Sequence, residues 1–354
     1  RYLGLRGAFD FGQFPVEFPK MWEVRDKTLA DLLDAYVADP SLQEALSGLW
    51  SYAGLPPSRL SAFYYASLAG NYLKNGSYYI KPRSQALSFA LAEAVEAAGG
   101  QLVCGTAAEE ILVADGAVTG VRLSDDTVLP AAAVVSNASA ITTLTKLLPE
   151  GALPPEYRER ISMYRPSVST FIVWLGLDTE LRGKVGAYST HVSTGAGPEA
   201  EYEASLSGDY EQVGFSVTVY DNAFEGYSRP GTSTVMLFTQ SGWEPWRKFE
   251  DDYVRGDRAA YEEEKERRSE SLIRRAETLV IPGLSSMIEV KVTASPLTNR
   301  AYTGNTEGAI YGFEQSMGNA FMTRIPNETP VKGLYLAGAW GLSLIHISEP
   351  TRPM

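Results

Sequence analysis

Cysteine is nearly missing from this sequence: Cys104 stands alone in 354 residues. That rules out an internal disulfide and any thiolate cluster. Sitting in the short apolar run Leu102–Cys104, it is expected to be a small buried residue, not a nucleophile. Histidine is almost as scarce, with His191 and His346 alone. His191 falls in the polar, Gly-rich stretch STHVSTGAGPEA and reads as a solvated loop residue. No catalytic triad and no metal-ligand spacing can be assembled from so few groups. Long apolar runs are lacking too, none approaching the roughly 20 residues of a membrane-spanning helix. Positive charge is in the minority: 31 Lys and Arg face 43 Asp and Glu, a net charge of -12. This argues against a nucleic-acid partner and against electrostatic docking on an anionic membrane. The expected location is cytoplasmic, with peripheral membrane contact left open.

What is present is an ordinary globular composition, 44% hydrophobic and 21% charged, long enough for two domains. Residues 1–77 read as mostly helical. Asp26 or Thr28 can cap a helix carrying Leu29, Leu32, Leu33 and Tyr36, with Pro40 as its stop and Ser41 as a second cap. Ser84 can cap another helix, whose inward positions would be Leu87, Leu91, Ala94, Val95 and Ala98. Its many alanines would let it lie close to a sheet, and Gly99-Gly100 would end it. Leu102–Cys104 then reads as a buried strand. Ile111–Val113, Asp115-Gly116 and Val118–Leu123 read as a hairpin, and Ala132–Val135 as a further buried strand.

Beyond residue 150 the strands Phe171–Leu177, Val213–Tyr220 and Thr234–Thr239 are separated by long polar connections. A charged helix spans Arg255–Val280, with Glu263/Arg267, Glu264/Arg268 and Glu270/Arg274 at ion-pair spacing. That charge run is expected to be a solvated face. Residues 195–200, GAGPEA, match a dinucleotide fingerprint in letters only. The fingerprint needs a buried strand entering a helix, whose first amides meet the pyrophosphate. Polar residues precede these glycines, so the match is set aside as a loop. Val331–Trp340 is different: an apolar strand, Leu334–Ala337, runs into Gly338 and Ala339, small residues that let a ligand approach the backbone.

Four segments carry a resemblance: GSYYIKPRSQALSFALAEAVEAAGG, ILVADGAVTGVRLSDDTVLPAAAVVSNA, PLTNRAYTGNTEGAIYG and TPVKGLYLAGAW. Through them the chain resembles the phytoene desaturase, carotenoid isomerase and retinol saturase group of FAD-dependent oxidoreductases over residues 20–341. The resemblance implies an α/β fold with an α+β second domain: an incomplete doubly wound FAD-binding domain interleaved with a helical and mixed-sheet substrate domain. Residues 1–77 would form a helical cap of the substrate domain, and 78–149 part of the FAD-binding domain. Residues 150–306 would be the substrate domain, and 307–341 the return to FAD. The cofactor contacts it implies are Ala108 at the adenosine, Asn137 nearby, and Gly338, Ala339 and Trp340 toward the ribityl chain and isoalloxazine.

The sequence departs from that group in three places. Pro82-Arg83 replaces a Gly-Gly pair before Ser-Gln, and Pro82 brings no backbone donor. The G-x-G-x-x-G of the first strand and helix is absent, as is the glycine-rich loop expected after GAW. There the sequence becomes LSLIHISEPTR, which matches the in-frame translation of a transposase-type sequencing adapter. Residues 342–354 are therefore expected to be a cloning or assembly scar, and the chain a fragment that binds FAD weakly or not at all.

In the resembling enzymes the flavin performs the redox chemistry and the protein supplies orientation and a dry apolar channel. The implied substrate is an apolar conjugated isoprenoid, a carotenoid or retinoid, that is desaturated, saturated or isomerised. Tyr302, Tyr311 and Trp174 are candidate channel residues beside ordinary core roles, and no catalytic residue is named. Two readings stay open: a flavin-free prenyl-binding or lipid-binding protein of the GDP-dissociation-inhibitor type, and an amine oxidase. The oligomeric state is not readable from the sequence.

Overall fold

The structure, a computed structural model, describes residues 13–76, 78–320 and 323–341. The expectations placed on residues 342–354, His346 among them, lie outside these. Helices and three separate sheets alternate along the chain. Among the described residues no helix is long and apolar enough to cross a membrane.

The largest sheet has five strands in the order β6-β7-β8-β5-β9, every neighbouring pair antiparallel. The strands are β5 (Ser169–Leu177), β6 (Ser189–Val192), β7 (Phe215–Val219), β8 (Ser233–Ser241) and β9 (Ile288–Ala294). Alternate residues point to opposite faces of a strand. Phe171, Val173, Leu175, Val217, Val235 and Leu237 are therefore buried together on one face. Against that face packs the helix Ala259–Leu279, through Tyr261, Leu272, Ile273 and Ala276. The opposite face carries Ile172, Trp174, Met236 and Phe238, and all four keep partial exposure. An open apolar face of this kind is the feature that positions the site.

The expected charge run lies on that helix, but it is not wholly solvated. Arg268 is 4% exposed. Its guanidinium lies 4.6 Å from both the Tyr210 and Trp246 rings and pairs with Glu264 at 2.7 Å. Glu264 also takes Arg267 at 2.8 Å, so the i,i+3 partner replaces the expected Glu263. Arg274 turns off the helix to Glu211 at 2.5 Å instead of meeting Glu270.

The second sheet holds β1 (Ala108–Ala114), β2 (Ala117–Leu123) and β3 (Val128–Pro130), all antiparallel. The expected hairpin forms at Asp115-Gly116, where φ is 49° and 73°, the two positive values a tight primed turn demands. The third is a parallel pair, β4 (Val134–Ser136) and β10 (Leu334–Leu336). Ile111, Val118, Leu334, Leu336, Phe313 and Trp340 pack between these two sheets. Val135 is exposed, so the returning strand is buried on one side only.

Several local expectations need correction. Thr28 does cap Leu29–Tyr36, in a reciprocal capping box with Asp31. The next helix, however, begins with Pro40 and is capped by Asp39, whose Oδ1 accepts from Ser41 N at 2.8 Å. Proline at a first helical position loses nothing, because that amide has no intrahelical acceptor. The helix Gln85–Ala97 forms but buries none of its residues, leaving Leu87 49% and Leu91 61% exposed. No strand forms at 102–104, and Cys104 is exposed. An apolar stripe shows that a face is suited to burial. It does not supply the partner, and none of the described sheets covers this segment.

Candidate functional site

Two places on this frame have the character of a ligand site. The first is at the ends of the parallel pair. In open parallel sheets, ligands collect beyond the carboxyl ends of the strands. There Ala337 N donates to Ser136 O at 2.8 Å, and the next residues, Asn137 and Gly338, come together. Gly338 has φ 75°, and a Cβ on it would lie 2.0 Å from Asn137 Oδ1. The absence of a side chain is what lets the two strand ends approach. Asn137, Ala138 and Ala339 are exposed, so backbone and small groups face outward.

Of the five residues singled out for the cofactor, the structure thus brings Asn137, Gly338 and Ala339 together. Ala108 is exposed as the first residue of β1, paired with Leu123, and no hydrogen bond among the described residues links it to the other three. Trp340 is 2% exposed. Its Nε1 donates to Asn305 Oδ1 at 3.0 Å, and its ring meets Phe313 edge-on at 4.9 Å. Its indole is core, so only its backbone is free for a ligand. The strand ends fit the approach of a flat cofactor to bare backbone; the Trp340 side chain does not.

The Gly195–Gly197 loop gives a different result from the one expected. It does join a strand, β6, to a helix, Pro198–Ser207. But β6 is an antiparallel edge strand, and the place of an anion is taken from within. Glu201 Oε1 accepts from Thr194 N (2.6 Å), Thr194 Oγ1 (3.0 Å) and Ser193 Oγ (2.8 Å). The Thr194 amide and the Ser193 and Thr194 hydroxyls are thereby taken by a carboxylate of the chain itself.

The second place is a cavity of about 640 Å³ at the open face of the large sheet. That volume lies within the roughly 300–1,000 Å³ of small-molecule sites. Met236 and Phe238 of β8 form its floor, with Trp50, Tyr52, Ile310 and Tyr311 around it. Tyr311 donates to Ser51 O at 3.0 Å, and its burial pushes the phenol pKa upward. His191 is a strand residue at this cavity and not a loop residue. Its Nε2 is 3.3 Å from Tyr52 Oη, with the rings 5.5 Å apart. Desolvation lowers its pKa, so the imidazole is neutral at pH 7.

Of the three expected channel residues, Tyr311 lines the cavity. Trp174 lies on the same open face, between Met236 and Val292, but outside the lining. Tyr302 is 87% exposed and belongs to neither. Tyr52, Met236, Phe238 and Gln240 were missed. The signal for Met236 and Phe238 was in the strand 234–239, where the outward positions are apolar like the inward ones. Next to the cavity, Tyr79 packs on Tyr188, Tyr220, Phe224 and Tyr227, fastening residues 78–83 to the sheet. The Lys81–Pro82 bond in that segment is cis.

Comparison with known proteins places this geometry. A family model described as flavin containing amine oxidoreductase matches residues 23–345. All-trans-retinol 13,14-reductase of Rattus norvegicus is 27% identical over 338 residues, covering 88% of this chain and 54% of its own length. Phytoene desaturase (neurosporene-forming) of Rhodobacter capsulatus is 26% identical, covering 90% of this chain and 60% of its own. Prolycopene isomerase of Daucus carota is 26% identical over 65% of this chain and 35% of its own. The chain thus spans about half the length of the curated relatives it matches. Among solved structures, an oxidoreductase from Methanosarcina mazei superposes with a TM-score of 0.59 at 18% identity, over 96% of this chain and 73% of that one. Putrescine oxidase bound to putrescine superposes at 0.57 and 12% identity, over 89% of this chain and 63% of that one. These likenesses show the fold, which is of the expected α/β class.

Proposed function

Because the chain belongs to the flavin-containing amine oxidoreductase family, whose cofactor is a flavin, we propose that it comes from an FAD-dependent oxidoreductase acting on a conjugated isoprenoid. The reaction is a desaturation, a saturation or an isomerisation of a carotenoid or retinoid. The observation that carries this reading is the cavity against Met236 and Phe238, on a sheet face whose apolar residues stay partly exposed. An antiparallel sheet commonly leaves one face to water, but that face is then polar. Residues 78–149 and 307–341 belong to the FAD half; residues 1–77 and 150–306 form the substrate half. A cytoplasmic location with peripheral membrane contact goes with this reading.

In the FAD half, Ala108, Asn137, Gly338, Ala339 and the backbone of Trp340 hold the cofactor. When bound, the flavin supplies hydride transfer to or from the substrate. This chain's own part is binding, orientation and exclusion of water. Trp50, Tyr52, Phe238 and Tyr311 present ring faces and edges that suit a flat polyene, and burial of such a ligand is driven by apolar area. Two of the relatives are named for carotenoid substrates and one for retinol.

The test is a conjugated polyene added to flavin-loaded protein, with its absorption followed over time. A shift of its maximum, reporting a longer, shorter or isomerised conjugated system, supports the reading. A polyene spectrum unchanged with either oxidised or reduced flavin refutes it.

A further inference from the structure

We propose that a second cavity, which shares no residue with the first, binds an organic phosphate through the guanidiniums of Arg160 and Arg165. The inference is independent of the flavin reading. The cavity measures about 780 Å³ and lies between the end of the helix Pro155–Ser162, residues 314–319 and Arg59. Backbone pairing ties these walls together: Glu314 N donates to Arg165 O at 2.9 Å, and Leu60 forms a β-bridge with Ser316.

Charge in this lining runs against that of the whole chain. The protein carries a net charge of -12, yet three arginines line the cavity and Glu314 is the single acid among the lining residues. Arg59 Nη2 donates to both Glu314 oxygens, at 2.9 and 3.0 Å, and so neutralises that carboxylate. Two positive charges are left over. Arg165 is exposed, and its guanidinium has no hydrogen bond, carboxylate or ring partner among the described residues. Arg160 donates through Nε to Tyr164 Oη at 3.3 Å and through Nη2 to the Thr323 and Arg324 carbonyls, both at 3.4 Å. These bonds are long, and Nη1 stays free. Glu199, which is outside the lining, is already engaged by Ser58 N and Oγ at 2.9 and 2.8 Å. Guanidinium forks match the oxygens of a phosphate, and a dianion balances the two charges. The cavity is larger than a phosphate alone, and Met163, Tyr164 and Met317 offer apolar surface to the body that carries it.

The experiment is calorimetric titration of the purified 354-residue protein with inorganic pyrophosphate, which reads the charged part of the site. One equivalent should bind with a Kd below about 1 mM. Arg160→Gln and Arg165→Gln should each weaken binding about tenfold, as loss of a charge-assisted hydrogen bond does. Lys184→Gln, which removes an exposed cation outside the cavity, should leave it unchanged. The exposed Arg165 side chain holds nothing in the fold, so its variant reports on binding even where Arg160→Gln fails to fold. No saturable binding overturns the inference. An equal effect of all three substitutions overturns it too, since that would be a response to net charge. ADP and geranyl diphosphate carry a flat polar and an apolar body, and at least one should bind more tightly than pyrophosphate. The tighter of the two names the kind of body; if neither is tighter, the site takes a bare ion and the inference falls. Flavin content and polyene binding do not enter, so failure here leaves the proposed function standing.

Discussion

Replacing Gly338 by alanine tests whether the two strand ends meet as described. Two costs follow from the geometry. The backbone at φ 75° is left-handed, which costs an L-residue about 1–2 kcal/mol. The new Cβ would also lie 2.0 Å from Asn137 Oδ1, far inside contact distance. Asn137 is exposed, so it can turn aside at a rotamer cost of about 0.5–1.5 kcal/mol. The sum, about 1.5–3.5 kcal/mol, is a large share of the stability of an ordinary domain. Urea unfolding of Gly338→Ala, Asn137→Ala and the double variant separates the two parts. Asn137→Ala alone should be nearly silent. In its background the glycine substitution should keep the backbone part and lose the clash, a coupling of about 1 kcal/mol. A Gly338→Ala protein within about 0.5 kcal/mol of the parent, or no coupling with Asn137, would refute this picture of the strand ends.

Three further outcomes are expected. Trp340→Ala should cost about 3–5 kcal/mol in urea unfolding, as removal of a buried aromatic does, and Trp340→Phe about 1 kcal/mol through the lost bond to Asn305; a silent Trp340→Ala would mean the indole is free. At Glu264, burial alone would raise the pKa, but the hydrogen bonds and charges of Arg267 and Arg268 outweigh it and bring it from 4.5 down to about 2. A lowered folded pKa contributes stability above the unfolded value and loses it as pH falls through the folded one. Glu264→Gln should therefore melt lower than the parent at pH 7, with the gap closing between pH 4.5 and pH 2; a gap independent of pH would contradict the pairing. Leu91→Ser on the exposed helix Gln85–Ala97 should change the stability of this chain by no more than about 0.5 kcal/mol, and a loss of 2 kcal/mol would show that face to be covered.

Much of the fold was legible wherever the local pattern determines structure by itself. The Asp115-Gly116 hairpin, the cap at Thr28 and the long charged helix, which starts at Ala259 and not at Arg255, each depend on residues close in sequence, and each formed. The strands β5, β7 and β8 announced themselves by runs of apolar and β-branched residues. What failed depended on distant partners. The stripe Leu87, Leu91, Val95 was readable as a face, but its covering element was not. Cys104 was placed in a buried strand by its apolar neighbours, while strand formation needs a hydrogen-bonding partner that the described chain does not present there. His191 was hidden for a related reason: β6 is a short polar edge strand whose existence is set by pairing with β7, and its closeness to Tyr52 spans 139 positions of sequence. The Gly338–Ala339 step was legible as a place of little bulk, but the fitting of Asn137 against it was not.

The measurement that bears most directly on the central claim is the visible absorption spectrum of the purified protein. It should be recorded for these 354 residues and for a reading frame carried outward on both sides to the length of the relatives. The longer protein should show the bands of an oxidised flavin, bleached by dithionite and released as FAD on denaturation. A longer protein that folds, binds apolar ligands and is colourless would contradict it, and would make this architecture a carrier of isoprenoids instead of a catalyst.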